Sequence, residues 1–194
     1  KAGGMRAVVE HPDKGGQYAW RVMAKTLGYA AHLAPEIAHD IVAVDEAMRL
    51  GYNWNFGPFE LIDELGPAWL AQKLKDDGMA VPALLETVGD GTFYREQDGQ
   101  LQHLDFAGTY RDMTRPDGVL LLSDVKRRSK PLARNGSASL WDIGDGVVCL
   151  EFHTRMNALD PMVVEIINKA LEIVPEGYKA LVIHNQGTNF SVGA

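Results

Sequence analysis

The chain has 194 residues, a formal net charge of -7 and a hydrophobic content of 46%, with 20 glycines and one cysteine. These values are typical of a globular chain of one or two domains that is long enough to bury a sizeable core. They exclude a disordered or collagen-like protein, because the apolar content is too high and the glycine content is too low.

Composition also indicates the cellular location and the kinds of partner that we expect. The single cysteine, Cys149, cannot form a disulfide within the chain, so the cytoplasm is the expected location. No apolar run approaches the roughly 18 residues that cross a bilayer, and we expect no membrane span. The acidic balance disfavours nucleic acid as the main partner, because phosphate binding requires a positive surface. The sequence lacks an initiating Met and stops in a loop, which favours a piece of a longer protein.

The first half of the sequence has the period of helices. Apolar residues recur at three- and four-residue spacing over 18–34 and 37–48, which predicts two helices or one helix kinked at Pro35. Three further segments each open on proline and close at glycine, the asymmetry of short helices. These segments are 58–66, 67–78 and 82–89. We therefore predict an all-helical domain over residues 1–91.

The middle of the chain reads as a hairpin and a linker over residues 92–138. Asp98-Gly99, between the segments 92–96 and 101–106, predicts a hairpin with a type I′ turn. The polar connection 111–139 is rich in proline and glycine, so we place the domain boundary there, with one short helix around 120–128.

The last third changes to a strand, turn, strand, helix and strand pattern over residues 139–194. The turn is Gly144-Asp145-Gly146, the helix spans about 160–174 and the last strand spans 180–185. Asp160-Pro161 is a helix cap followed by proline at the first helical position. This order predicts a truncated ββαβ unit, and the whole chain is predicted to be α+β.

Two ordered sets of motifs resemble known families. VDEAMRLG at 44–51 and GPFELIDELG at 57–66 resemble the C-terminal helical domain of 3-hydroxyacyl-CoA dehydrogenases. The later series resembles the start of the crotonase, or enoyl-CoA hydratase, fold: WDIGDGV from 141, RMNAL from 155, KALVI from 179 and NFSVGA from 189. This domain order is that of certain bacterial bifunctional 3-hydroxyacyl-CoA dehydrogenase/enoyl-CoA hydratases of fatty-acid β-oxidation.

The resemblance implies that the parent protein hydrates trans-2-enoyl-CoA and oxidises the resulting 3-hydroxyacyl-CoA with NAD. It implies that the backbone N–H of Ala194 stabilises the thioester oxyanion, since fixed N–H groups oppose the charge that develops there. It also implies that a CoA thioester, the substrate, is bound along Arg155, Asn157, Ala158, Ser191, Val192 and Gly193.

Neither active site is complete in the sequence. A dinucleotide loop needs Gly-x-Gly-x-x-Gly after a strand, and the third glycine is missing after Gly89-x-Gly91 and after Gly144-x-Gly146. The resemblance places the NAD site and the catalytic His-Glu pair before Lys1, and the glutamates of the hydratase after Ala194. We therefore expect the chain alone to be inactive, with the remaining domains of the parent as its partners.

The helical part also departs from the family pattern. It lacks the Asn-Arg motif that begins the substrate-facing helix of the family, and residues 18–21 occupy the comparable place. This departure is typical of a degenerate copy that serves packing. The alternative function is a non-catalytic helical interaction module that forms a homo-oligomer.

Several polar groups have two interpretations. His32, Glu36 and His39 have metal-ligand spacing, but Pro35 disturbs their face and we expect no metal. One interpretation of the carboxylates at residues 60, 63 and 64 is that they are paired for acid–base chemistry. The preferred one is that Glu60 complements a helix start and that residue 63 makes a structural hydrogen bond.

The basic cluster and the cysteine also have two interpretations each. The cluster comprises Lys126, Arg127, Arg128, Lys130 and Arg134, which would contact a CoA phosphate or an acidic partner domain, or simply be a solvated linker, the preferred interpretation. For Cys149, between apolar neighbours in a strand, buried packing is preferred over a reactive thiol.

Overall fold

The computed structural model describes residues 4–187 and 189–194. The chain divides into two compact units, Lys1–Thr114 and Arg115–Ala194. The first contains helices and a small antiparallel sheet, and the second contains a mixed four-stranded sheet with helices. In the first unit the helices precede the strands, which fits the α+β prediction.

The first unit contains the predicted helices and one more at its start. In chain order they are α1 Gly4–Val9, α2 Lys14–Ile37, α3 Ile41–Tyr52, α4 Pro58–Leu65, α5 Pro67–Asp76 and α6 Ala83–Val88. The region around Pro35 forms two helices, but α2 continues through the proline to Ile37. The chain leaves the helix at Ala38 (φ -136°), and Asp40 then caps α3 by accepting a hydrogen bond from Ala43.

The core of the first unit forms around α2 and α4. A stripe of α2 at helical spacing is buried, including Trp20, Leu27 and Ala31. Phe59 of α4 is fully buried and meets Phe93 edge to face, with ring centroids 4.8 Å apart. The core therefore includes Phe93, which lies beyond the predicted helical segment.

A three-stranded antiparallel sheet follows the helices. Its strands are β1 Tyr94–Gln97, β2 Gln100–Leu104 and β3 Tyr110–Asp112, in the order β1-β2-β3. Asp98 (φ 52°) and Gly99 (φ 73°) both have positive φ, which confirms the type I′ turn. The sequence analysis missed β3, and the segment predicted as hairpin and linker divides between the two units.

The second unit has a four-stranded sheet in the order β4-β5-β6-β7. Its elements are α7 Leu122–Arg128, β4 Ala133–Arg134, β5 Ala138–Asp142, β6 Val147–Phe152, a 3-10 turn Arg155–Asn157, α8 Pro161–Gly177 and β7 Ala180–Ile183. β5 and β6 pair antiparallel, whereas β6 and β7 pair parallel, with α8 as the crossover. The predicted ββαβ order is confirmed, and the two-residue strand β4 was not predicted.

The two faces of this sheet are covered by different helices. Val163 and Ile166 of α8 pack on Leu140 and Leu150, whereas Leu122 of α7 packs on the opposite face. On that face, Leu122, Trp141 and Cys149 form a small second core. The segment 122–128 is therefore a packed helix rather than a solvated linker.

Cys149 belongs to that second core. Its side chain is buried, and burial raises the pKa of the thiol. The interpretation of Cys149 as a buried packing residue is confirmed. Among the helices that the structure describes, none has the length and apolar character needed to cross a bilayer.

We expect Gly57→Ala to destabilise the chain and Gly28→Ala to stabilise it. A Cβ at residue 57 would lie 2.3 Å from the Asp45 Cβ, and such overpacking costs about 1–3 kcal/mol. Gly28 lies inside α2 with nothing within 4 Å of its Cβ position, so alanine there adds about 0.5–1 kcal/mol of helix propensity. Urea unfolding measures both variants, and equal effects would contradict the packing of Gly57 against Asp45.

Candidate functional site

The first candidate site is a group of carboxylates in the helical unit. Asp45 is fully buried in α3 and accepts the backbone N–H of Phe59 at 2.8 Å and of Glu60 at 3.2 Å. The Tyr94 hydroxyl donates to the same carboxylate at 2.9 Å. One side chain thus satisfies the free donors at the start of α4 and holds the first strand beside it.

Asp63 and Glu60 complete this network. Asp63 accepts the backbone N–H of Phe93 at 2.7 Å and of Tyr94 at 2.8 Å. Glu60 accepts the N–H of Gly57 at 2.7 Å and pairs with Arg49 at 2.5 Å. The capping role of Glu60 and the structural hydrogen bonds of Asp63 are therefore confirmed.

Burial changes the protonation of two of these acids. Desolvation raises the pKa of Asp45 and of Asp63 to about 6, against the opposing effect of the N–H groups that donate to them. Desolvation also raises the pKa of Tyr94, next to Asp45. Because both acids are occupied by backbone donors, we assign them to structure and not to acid–base catalysis.

The sequence analysis overlooked Asp45, although a signal was present. Asp45 follows Ile41 by four residues and therefore lies on the face of α3 that is buried. An acid on the apolar face of a helix needs buried partners, and these are the N–H groups at the start of α4.

The possible metal ligands do not converge. His32 and Glu36 lie on α2, whereas His39 follows the end of that helix and its side chain is 82% exposed. In the ranges 4–187 and 189–194, no three His, Cys, Asp or Glu side chains form a group that could hold a metal ion.

Two cations of the basic cluster are engaged within the second unit. Lys126 Nζ lies 2.8 Å from both carboxylate oxygens of Glu151, which is 5% exposed. Arg127 contacts Asp124 at 2.5 Å. These side chains bind their own unit, which the sequence analysis did not predict.

Glu151 also belongs to a serine, histidine and acid group. His153 Nε2 lies 2.8 Å from Ser139 Oγ and 3.4 Å from Glu151, and burial lowers the pKa of the ring. A catalytic triad uses the two ring nitrogens separately, one for serine and one for the acid. Here one nitrogen faces both groups, and Ser139 is fully buried, so this arrangement does not make a nucleophile.

The second candidate site lies where β6 and β7 end. Parallel strands bring their carboxyl ends to one edge of a sheet, and ligands of α/β structures bind at such an edge. The loops that follow these strands are residues 153–160 and 184–194, with Thr188 outside the described residues. We call them the paired loops.

Three hydrogen bonds join the paired loops. Asn157 Nδ2 donates to the carbonyl of Asn189 at 2.8 Å, and Ser191 Oγ donates to the carbonyl of Asn157 at 2.6 Å. The backbone N–H of Leu159 donates to the carbonyl of Gly193 at 2.8 Å. The predicted residues Asn157, Ser191 and Gly193 are therefore brought together.

Asn185 links the end of β6 to the second of the paired loops. Its Oδ1 accepts the backbone N–H of Phe152 at 2.8 Å, and its Nδ2 donates to the carbonyl of Phe190 at 2.7 Å. Asn157, held by its own bonds, has a left-handed backbone with φ 54°. The sequence analysis missed Asn185, for which the signal is an amide immediately after an apolar strand.

The other predicted residues lie around these bonds. Arg155, Val192 and Ala194 are exposed, and Ala158 is half-buried. Gly193, with φ 87°, directs the chain into Ala194, and the N–H of Gly193 donates to Ser191 Oγ at 3.0 Å. Within the described residues, the N–H of Ala194 makes no hydrogen bond. The loops thus offer a cation and an available backbone donor at one edge of the sheet.

Residues 16–104 match the family profile described as 3-hydroxyacyl-CoA dehydrogenase, C-terminal domain. The match runs from α2 through β2 and includes Asp45, Asp63 and their partners. Residues 16–104 are therefore similar to a C-terminal 3-hydroxyacyl-CoA dehydrogenase domain, and the resemblance of residues 44–51 and 57–66 is confirmed. The profile does not reach the crotonase-like motifs, which remain a prediction.

Three longer proteins are similar to most of this chain, including residues beyond the profile match. A Bacillus subtilis protein with the name of a 3-hydroxyacyl-CoA dehydrogenase is 39% identical over 193 residues, 98% of this chain and 24% of the relative. A Rickettsia felis protein, named for a fatty acid oxidation complex trifunctional enzyme, is 29% identical over 167 residues, 86% of this chain and 20% of the relative. A Rickettsia prowazekii protein of the same name is 27% identical over 180 residues, 92% of this chain and 22% of the relative.

The chain spans about a quarter of the length of these curated relatives, or less. No solved structure matches it.

We expect the helical unit to lose stability as the pH rises from about 4.5 to 7. The pKa of Asp45 and of Asp63 is about 6 in the fold, above the usual aspartate value of 3.8, so protonation favours the folded state. That stabilisation is complete below pH 3.8 and is lost as the pH rises through 6. Hydrogen exchange of the Phe59 and Phe93 amides, corrected for the intrinsic rate, should accelerate about tenfold or more across this range.

Asp45→Asn should flatten this pH dependence, whatever its effect on stability at one pH. Asp90→Asn, at an exposed position, is the control and should retain it. Protection that rises with pH in the unmodified chain would contradict the assignment.

We expect Asn157→Gly to loosen residues 189–193. Glycine accepts the left-handed backbone but removes the Nδ2 donor to Asn189, at a cost of about 1 kcal/mol. Limited proteolysis should then cut the second of the paired loops several-fold faster. Asn189→Ala, which keeps the accepting carbonyl, is the matched control, and equal cleavage of both variants would refute the role of Asn157.

Proposed function

We propose that the chain is part of a fatty-acid β-oxidation enzyme that hydrates trans-2-enoyl-CoA and oxidises 3-hydroxyacyl-CoA. In this scheme residues 1–91 are the dehydrogenase-type helical domain, 92–138 are the hairpin and linker, and 139–194 begin a crotonase domain. The family match of residues 16–104 supports the dehydrogenase part. The observation that carries the hydratase part is the pair of hydrogen bonds between Asn157 and the segment of Ser191.

The paired loops would act on the CoA thioester through a backbone N–H group and a positively charged side chain. Addition of water to an enoyl thioester places negative charge on the thioester oxygen, and a fixed N–H stabilises that charge. Ala194 would supply this donor, because Gly193 is held by Leu159 and by Ser191 and so fixes where the next N–H lies. Arg155 would face a phosphate of CoA, for which an exposed guanidinium is suited.

The remaining substrate contacts are assigned by position. Asn157, Ala158 and Val192 would line the pantetheine path beside Arg155. Proton transfer would fall to groups outside this chain, since the buried acids of the chain are engaged in structural hydrogen bonds and ion pairs.

The described residues do not fit NAD. Gly144 to Gly146 form the turn between the antiparallel strands β5 and β6, and Gly89 to Gly91 connect a helix to a strand. A dinucleotide loop instead connects a strand to a helix whose N-terminus holds the pyrophosphate. NAD would therefore be bound by another domain of the parent, and this chain supplies no step of hydride transfer.

A second candidate function is a non-catalytic interaction module. It is favoured by apolar side chains that the helical unit leaves in solvent, including Leu50 at 85% exposed, Tyr52 at 72% and Ile37 at 70%. Light scattering distinguishes the two functions, since a stable dimer of the chain would favour the module.

We expect Ala194→Pro to lower crotonyl-CoA hydration by about 100- to 1,000-fold in a polypeptide that carries this chain with its complete parent domains. Proline removes the N–H without adding charge, whereas Ala194→Ser keeps it and should stay within several-fold of the unmodified enzyme. The chain by itself should show neither crotonyl-CoA hydration nor NAD-linked oxidation. Hydration unaffected by Ala194→Pro would remove the oxyanion role, and activity of the isolated chain would refute the scheme.

A further inference from the structure

The helical unit carries a groove of about 410 Å³ that the proposed function does not use. One side is α2, from Ala24 to His32, and the other is the end of α5 with the segment that joins α5 to α6. Leu74, Met79 and Val81 line this second side. The volume lies within the roughly 300–1,000 Å³ of small-molecule sites, and the lining is mostly apolar as in such sites.

Gly28 lies in the wall of the groove on α2. Glycine inside a helix costs about 1 kcal/mol relative to alanine. A Cβ at this position would meet nothing within 4 Å, so packing within the chain does not require glycine here. Together with Ala24 it leaves a shallow apolar channel along the helix.

A lysine and a histidine border this channel. Lys25 and His32 are exposed and lie about one helical turn on either side of Gly28. Neither has an ion pair or a hydrogen bond within the described part of the chain, and no acidic residue lines the groove. In a chain of net charge -7, the Lys25 ammonium at this border favours a ligand with a negative group.

We propose that this groove binds a linear aliphatic carboxylate. The chain of the ligand would lie against Gly28, Leu74 and Met79, and its carboxylate would meet Lys25, with His32 at the far end of the channel. From Ala24 to His32 the helix extends about 12 Å, close to the length of a chain of about ten carbons. The groove is formed by residues of the first unit alone and requires neither CoA nor turnover.

The test uses the whole chain and sodium decanoate below its micelle concentration, measured by calorimetry. Decanoate should bind the unmodified chain, and Gly28→Leu should weaken it about tenfold or more by filling the channel. Gly51→Leu is the matched control, because Gly51 lies in α3 with nothing within 4 Å of its Cβ position. Both variants add a strong helix former, so neither is expected to unfold.

The charge is tested separately. Lys25→Gln should weaken decanoate about two- to fivefold but leave 1-decanol unchanged, whereas Lys14→Gln, at the start of the same helix, should change neither. Equal binding of decanoate and 1-decanol, no binding, or no effect of Gly28→Leu would each overturn the proposal. A dimer in sedimentation that Gly28→Leu dissociates would assign the groove to a second copy. None of these outcomes depends on the CoA site, so failure here is distinguishable from failure of the proposed function.

Discussion

The helical unit depends on two carboxylates that hold backbone donors from separate elements. Asp45 joins α3 to the start of α4, and Asp63 joins α4 to the first residues of the sheet. The donors at a helix start have no partner within the helix, and a buried N–H without a partner is costly. These acids therefore connect three elements in a region where short helices alone would be marginal.

The same arrangement explains why residue 57 is glycine. The close approach that lets Asp45 reach the start of α4 brings its Cβ to the space that a side chain at residue 57 would occupy. The hydrogen bonds of the Asp45 carboxylate to the start of α4 therefore depend on the absence of a side chain at residue 57. This network lies within residues 16–104, the segment that matches the profile of the dehydrogenase C-terminal domain.

Sequence reasoning predicted the elements whose signals are local. Prolines and glycines gave the bounds of α4, and Asp98-Gly99 gave the hairpin, because these residues restrict their own φ and ψ. It missed β3 and β4, which have three and two residues and exist through pairing with distant strands. It also missed the role of Asp45 and Asn185, whose partners are distant in sequence and become neighbours only in the fold.

The buried acids of the two units illustrate two ways of keeping a carboxylate out of water. Asp45 is held by N–H and O–H donors without a contacting cation, and burial raises its pKa. Glu151 is held by Lys126, and breaking such a buried pair is more costly than never forming it. Both solutions occupy the carboxylate oxygens of these two acids with structural contacts. Under the proposed function, the chain would offer a CoA ester backbone donors and surface charge at the paired loops, and proton transfer would fall to residues outside the chain.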